Sequence, residues 1–235
     1  MKILTKVLLT LIMLTTVMFA NNDMLHDRYM TELENLNSEQ RSVLYKAYTA
    51  GIDADLQYTL TAIAWKESDF GVYFSDLGDG SKGSFGPFHA LLDTVAARYH
   101  ATNTWQTSRL AERLIKDFDF SASVSIGELQ CWKQHWRHKG SLQNRYMIAS
   151  YNAGYRSYDS NDGRKYALDI LLRMRVLQEY FKKHDTFKVH VTPDKITYNQ
   201  TPNINTSKPK MLYTYIMGIK NASLKVAYVD AEKIH

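Results

Sequence analysis

"AIAWKESDFG" occupies Ala62–Gly71, and one acidic residue in it decides how the stretch is read. Counting back from Glu67 in helical steps reaches Ile63, Leu60 and Leu56, at spacings of four, seven and eleven residues. Residues so spaced share one face of a helix. The spacing therefore predicts a helix that carries Glu67 on its buried side, near its C-terminal end. Lys66 and Asp69 are rotated off that face and read as solvent charges.

A carboxylate on a buried face is either a structural hydrogen-bonding partner or a chemical tool. Taking an ionised acid out of water costs several kcal/mol, so a sheltered acid tends to keep its proton. A carboxylic acid that stays neutral near pH 7 is equipped to act as a general acid.

Outward from this segment the pattern is helical. Leu25, Tyr29, Leu33 and Leu36 recur at helical spacing. Asn37 or Ser38 offers a cap for the next helix, with Val43, Leu44, Ala47 and Tyr48 inward and Gly51 as its stop. Asp53 is placed to cap the helix that delivers Glu67. Residues 71–86 read as a glycine-rich loop, and Pro87 suits the first turn of a helix bearing Leu91, Leu92, Val95 and Tyr99. Further helices are expected over 104–117 and 122–138, the second with Leu129, Trp132 and Trp136 and with Gly140 as its stop. Ser141 is placed to cap another that ends at Gly154, and a last helix spans about 164–184 with Tyr166, Ile170, Met174, Leu177 and Phe181 on one side. No internal repeat is present. The fold class that follows is all-α, one helical domain over 21–184.

The two ends differ from this body. Residues 1–20 run from the basic MKILTK through an apolar segment to Ala20, the order of a secretory signal, although Met18 is large for the position three before the cut. No cysteine follows that segment, which argues against lipoprotein processing, and its apolar run is short for a membrane span. Export to the periplasm, with no membrane span left after cleavage, is the expectation. Beyond 184 the texture changes: FKVHVT alternates as a strand does, and Pro193, Pro202 and Pro209 follow closely. MLYTYIMGI and LKVAYVD read as short strands or extended arms, so 185–235 is a C-terminal extension without an assigned fold.

Composition narrows the function classes. The 235 residues are 45% hydrophobic and 23% charged, a globular balance, with one cysteine, Cys131, and therefore no internal disulfide. The formal charge of +5 includes Lys2 and Lys6 of the leader, and no dense basic stripe accompanies it. A nucleic-acid partner is not indicated; a mild positive excess suits an anionic polymer.

Three separated pieces carry the chemistry: WKESDF at one helix end, GSFGPFH from Gly83 to His89, and ASYNAG from Ala149 to Gly154. In this order the chain resembles the soluble lytic transglycosylase family over roughly residues 50–180. That family's pattern is Glu-Ser with a nearby aromatic, a Gly-Leu-Met-Gln type turn, Ala-Tyr-Asn-Ala-Gly, and a tyrosine in a final helix. The resemblance implies a lysozyme-like helical domain related to goose-type lysozyme. It places Glu67 at the catalytic acid and Ser68 beside it. Ser84 and Gly86 fall in the turn, Phe88 at the methionine and His89 at the glutamine. Tyr151 and Asn152 match the Tyr-Asn pair, and Tyr166 matches the late tyrosine. Pro87 replaces leucine, and His89 replaces a residue that shapes the sugar site; a histidine can both donate and accept, and it can titrate.

The activity implied is cleavage of the β-1,4 bond between N-acetylmuramic acid and N-acetylglucosamine in peptidoglycan. Glycosidases usually employ two carboxylates, whereas the family works with one. The resemblance implies that Glu67 first gives its proton to the leaving oxygen and then, ionised, takes one from the muramic 6-hydroxyl, closing a 1,6-anhydro ring. Substrate contacts would come from Ser68, Ser84, Gly86, Phe88, His89, Tyr151, Asn152 and Tyr166, with no metal or organic cofactor. A hydrolytic muramidase on the same scaffold is one rival. A non-catalytic glycan-binding component of cell-envelope machinery is another.

The same residues have plainer readings. Tyr151 and Tyr166 also suit a core with satisfied hydroxyls, Asn152 a helix-end backbone contact, and Ser68 a bond to nearby backbone. Trp132 and Trp136, one turn apart, form either a core stripe or a sugar-stacking face. His135 and His138 lack a second ligand pair for a metal. DLGDGSKG and DSNDGRK are similar to calcium loops but lack the acid spacing and the closing glutamate, so both read as turns.

Overall fold

The structure, a computed structural model, describes residues 23–76, 83–184, 214–216 and 225–227. The expected leader and most of the C-terminal extension lie outside the described residues.

A helix over 23–34 (α1) opens the described chain. It is followed by α2 (Ser38–Gly51), a 3-10 turn (Ile52–Ala54) and α3 (Gln57–Ser68). Three short strands come next: β1 (Ser75–Asp76), β2 (Ser84–Phe85) and β3 (Ala90–Leu91). Then follow α4 (Leu92–Arg98), α5 (Thr104–Lys116), α6 (Phe118–His135), a 3-10 segment (Arg137–Leu142) and α7 (Gln143–Ala153). A second such segment (Gly154–Asp159) leads into α8 (Asn161–Lys183). In the extension β4 (Thr214–Ile216) pairs antiparallel with β5 (Lys225–Ala227), with Tyr215 opposite Val226. The domain is predominantly helical, as expected.

Helix α3 is the centre. Every residue from Thr59 to Trp65 is buried, because α2, α6 and α8 surround it. The periodicity of Leu56, Leu60 and Ile63 is real, yet the remaining faces are covered as well, which Thr61, Ala62 and Ala64 permit by being small. Around α3 the main core gathers Leu33, Leu44, Leu129, Met147, Ile148, Ile170 and Leu177, all nearly inaccessible. A separate cluster of Ala90, Val95, Leu114, Phe120 and Val124 lies beneath the small sheet.

Several boundaries differ from the sequence expectation. Asn37 caps α2 as expected, in a reciprocal capping box with Gln40. Gly51 does not stop α2; it is the last helical residue, and a Cβ there would meet the Gln57 backbone at 2.5 Å. Asp53 does not cap α3: it lies in the 3-10 turn, and the N-cap is Leu56 without a side-chain bond. Ser141 caps nothing either, the N-cap of α7 being Leu142. Helix α6 begins earlier than expected, at Phe118, because Asp117 accepts the Phe120 N–H. Helix α8 likewise begins at Asn161, where Ser160 accepts from Gly163 N–H, so DSNDGRK is a helix start.

The largest correction concerns residues 71–91. The described part, 71–76 and 83–91, is not a loop followed by a helix at Pro87; most of DLGDGSKG lies outside the described residues. β2 pairs with both β1 and β3, Phe85 lying opposite Ser75 and Ala90. Pro87 sits in the turn at 86–89 between β2 and β3, and α4 starts only at Leu92. Of the four residues expected to face inward, Val95 is buried, while Leu91 and Tyr99 are exposed.

Candidate active site

The end of α3 is built by a sharp reversal. Asp69 (φ 50°), Phe70 (φ 54°) and Gly71 (φ 86°) are all left-handed, a region that costs non-glycine residues about 1 kcal/mol or more each. The reversal repays this with hydrogen bonds to helix carbonyls: Asp69 N–H to Trp65 O and Phe70 N–H to Ala64 O, both 3.1 Å. The Phe70 ring stacks on Trp65 with centroids 5.8 Å apart. Gln40 donates to the Asp69 carbonyl and carboxylate, tying the start of α2 to this corner.

Glu67, two residues before the reversal, keeps a fifth of its side chain accessible (20%). Tyr166 of α8 donates its hydroxyl to Glu67 Oε1 at 2.5 Å. Burial, then the adjacent Glu67 carboxylate, hold the Tyr166 hydroxyl well above the ordinary tyrosine range, so it remains a donor. His89 approaches the other oxygen, with Nδ1 3.6 Å from Oε2. Its Nε2 lies 2.9 Å from the Tyr73 carbonyl. Lys66 is not a free solvent charge: its Nζ is 2.7 Å from Asp169 Oδ2, beside the Tyr166 ring.

Tyr151 of α7 donates to the Phe88 carbonyl at 2.8 Å and is 3.1 Å from Ser125 Oγ. Its one proton is committed to a group that only accepts, so Ser125 donates to it in turn. Burial raises its ionisation far beyond neutral pH, and the Glu67 carboxylate is near enough to add to the rise. Tyr151 therefore offers a nearby oxygen lone pair but no free proton.

His89, Tyr151 and Asn152 line one cavity of about 150 Å³, which continues past Thr94, Glu128 and Trp132 to Gly154. Arg98 and Glu128 form an ion pair in its wall. A larger groove of about 570 Å³ runs along α5 past Trp105, Arg109 and Arg113 and includes none of the expected site residues.

Glu67, His89, Tyr151 and Tyr166 thus converge, with Asn152 exposed on the cavity wall. Ser68, Gly86 and Phe88 do not take the place expected of them. Ser68 is fully buried; its hydroxyl bridges Ala64 O and Pro87 O and accepts from Gly71 N–H, so it clamps the helix end to the turn. Phe88 is also fully buried, packed on Phe118 with centroids 5.6 Å apart, so its ring cannot meet a sugar. Gly86 (φ 81°) is buried against the Leu114 carbonyl and serves the turn. Ser84 is half-buried in β2, at the edge of the arrangement.

Three participants escaped the sequence reading. Ser125 belongs to a row of small residues, Ser121 and Ser125, spaced one turn apart on the buried side of α6, which was a usable signal. The Tyr73 carbonyl left none, since backbone acceptors are invisible in residue type. Glu128 gave no signal, because nothing in its type or spacing sets it apart from other helix acids. Trp132 is a core residue edge-on to Tyr155 at 5.0 Å, and Trp136 donates to Ser150 Oγ at 2.8 Å. His135 packs edge-on against Trp136, and burial, then His138, lower its proton affinity.

Chemically, the arrangement suits proton transfer at one carboxyl group whose neighbour His89 lines a small cavity. Oε1 accepts from Tyr166 whether or not Oε2 carries a proton, so the group can serve as acid and afterwards as base without rearrangement. Comparison of the chain with protein-family models, with curated proteins and with solved structures gave no match.

Proposed function

We propose that this protein is an exported peptidoglycan lytic transglycosylase whose helical domain is lysozyme-like. The observation that carries the reading is Glu67: a partly open carboxyl at a helix end, with Oε1 occupied by Tyr166 and with His89, which lines a cavity shared with Tyr151 and Asn152, against Oε2. Protonated on Oε2, Glu67 gives its proton to the glycosidic oxygen as the bond from muramic C1 breaks. Positive charge develops on the sugar ring, where the Tyr151 oxygen and the Asn152 amide carbonyl supply dipoles of the right sign. The Glu67 carboxylate then removes the proton from the muramic 6-hydroxyl, whose oxygen closes on C1. No water is consumed, and Glu67 ends protonated as it began.

The geometry favours this over an inverting muramidase. A base opposite the acid would stand about 6.5–9.5 Å from it to leave room for water. His89, the proton acceptor against Glu67, is 3.6 Å away, too near to leave that room, and Glu128, the carboxylate that lines the cavity, is held in an ion pair by Arg98. Digestion of purified sacculi followed by mass spectrometry is the test. The products are expected to be anhydro-muropeptides, lighter by one water than the reducing-end products of hydrolysis, and Glu67→Gln is expected to yield about 10³-fold less of them. Reducing ends from the wild type would establish hydrolysis. Equal digestion by wild type and variant would remove Glu67 from the chemistry, and binding without digestion by either would make the protein a glycan-binding component.

A further inference from the structure

The turn at 86–89 joins two cores: Phe88 belongs to the main one and Ala90 to the cluster under the sheet. Between them His89 adopts φ 46°, a left-handed conformation that side chains rarely take without an external constraint. The constraint is visible. His89 N–H donates to Gly86 O at 3.1 Å, Tyr151 holds the preceding carbonyl, and Ala90 is fixed in β3. The conformation aims the imidazole at Glu67 with 11% of its side chain exposed.

We propose that His89 is a positioning residue that keeps the transferable proton of Glu67 on Oε2, the oxygen that faces the imidazole. This rests on the reading of Glu67 as the acid. A carbonyl oxygen only accepts, so the 2.9 Å contact with Tyr73 O assigns a hydrogen to His89 Nε2. In the neutral ring Nδ1 is then bare and faces Oε2. A bare nitrogen repels a carboxylate lone pair and accepts from a carboxylic acid O–H. At 3.6 Å the contact is longer than a hydrogen bond and closes with a small shift of either group. Tyr166 already donates to Oε1, so the two neighbours sort the oxygens: Oε1 receives a hydrogen bond and Oε2 carries the proton.

The pair is competent when it holds one proton. The same single proton placed on Nδ1 would give an imidazolium–carboxylate pair with no acid, an arrangement that the enclosure of both side chains disfavours; a second proton sets two donors against each other and turns the Oε2 proton away. Loss of the last proton leaves no acid. The other groups facing the pair either keep their protons or are held by partners of their own. Tyr166 of α8 and Tyr151 of α7 keep their protons through burial. Lys66 of α3 is bound to Asp169, and Arg98 of α4 to Glu128 of α6 across the cavity.

Two measurements on the full chain test this. In ¹⁵N-labelled protein the His89 imidazole, assigned by its absence in His89→Asn, is expected as the Nε2–H tautomer when neutral, with an Nδ1 resonance that moves in Glu67→Gln. Neither signal needs substrate, so they stand or fall apart from the assignment of function. An Nδ1–H tautomer, or an Nδ1 shift indifferent to Glu67→Gln, overturns the proposal. The second measurement is the rate of sacculus lysis against pH, with circular dichroism at each pH to confirm folding. The wild type is expected to fall off on both sides of its optimum. His89→Asn, chosen because asparagine tolerates φ > 0, is expected to lose the acid-side fall and about tenfold of the peak rate. His89→Gln is expected to recover part of the peak rate while keeping the flat acid side. An acid-side fall unchanged in both variants overturns the proposal.

Discussion

Under the proposed function Glu67 carries one consequence for rate and one for stability. Glu67→Gln preserves shape and an acceptor for Tyr166 while removing the transferable proton. Lysis is expected to fall by about 10³-fold, and the melting temperature to stay level or rise, since an acid placed for chemistry often costs stability. A marked drop in melting temperature would make Glu67 a structural residue. Tyr166→Phe removes only the donor on Oε1; a lysis assay should read a loss of about tenfold to a hundredfold with helicity intact. Gly86→Ala acts differently. Its Cβ would lie 2.3 Å from the Leu114 carbonyl at φ 81°, so denaturant unfolding should show a loss of more than about 2 kcal/mol. The residues legible before any coordinates were those whose type is odd for their position. An acid at the end of an apolar helix stands out, as do Tyr151 and Tyr166 once a pattern links them to it. Ser68, Gly86 and Phe88 stand in that pattern too, but they hold the turn from inside, and a motif does not distinguish touching the ligand from supporting what does.

At the scale of elements, helix periodicity recovered α2, α3, α5, α6, α7 and α8 because each has apolar residues at helical spacing and an end marked by composition. What failed was the choice of cap. Asp53 and Ser141 are good cap types, but each falls in a 3-10 turn whose own hydrogen bonds set the path. The small sheet was illegible because two-residue strands carry no period. The most consequential link between elements is Ser68. Its hydroxyl serves Ala64 O, Pro87 O and Gly71 N–H while wholly buried. Ser68→Ala should therefore cost about 1–3 kcal/mol, read as a lower unfolding midpoint, and should reduce lysis in the same variant because the turn bearing His89 loses its anchor.

Across the whole molecule Asp169 joins three helices. It receives Tyr29 of α1 and lies against Lys66 of α3 and Arg173 of α8, whose guanidinium covers the Tyr29 and Trp65 rings. Burial works to raise its carboxyl, but Arg173, Lys66 and Tyr29 outweigh that and hold it below the ordinary aspartate range. With a folded value below the unfolded one, the stabilisation is complete above the unfolded value of about 4 and is lost as pH falls through the folded one. Asp169→Asn is expected to lose about 2 kcal/mol at neutral pH and to unfold with a shallower acid dependence; an unchanged acid profile would show that the junction does not govern acid stability. Among the described residues no helix is long and apolar enough to cross a membrane. The carbonyls of Pro87 and Phe88, adjacent in the chain, are gripped by hydroxyls from different helices, Ser68 of α3 and Tyr151 of α7. Neither helix can drift without dragging the mouth of the cavity with it. On heating, the proposed lysis of sacculi and the ellipticity should vanish together in a single transition, and deuterium uptake at the turn amides should be as slow as in the middle of α3.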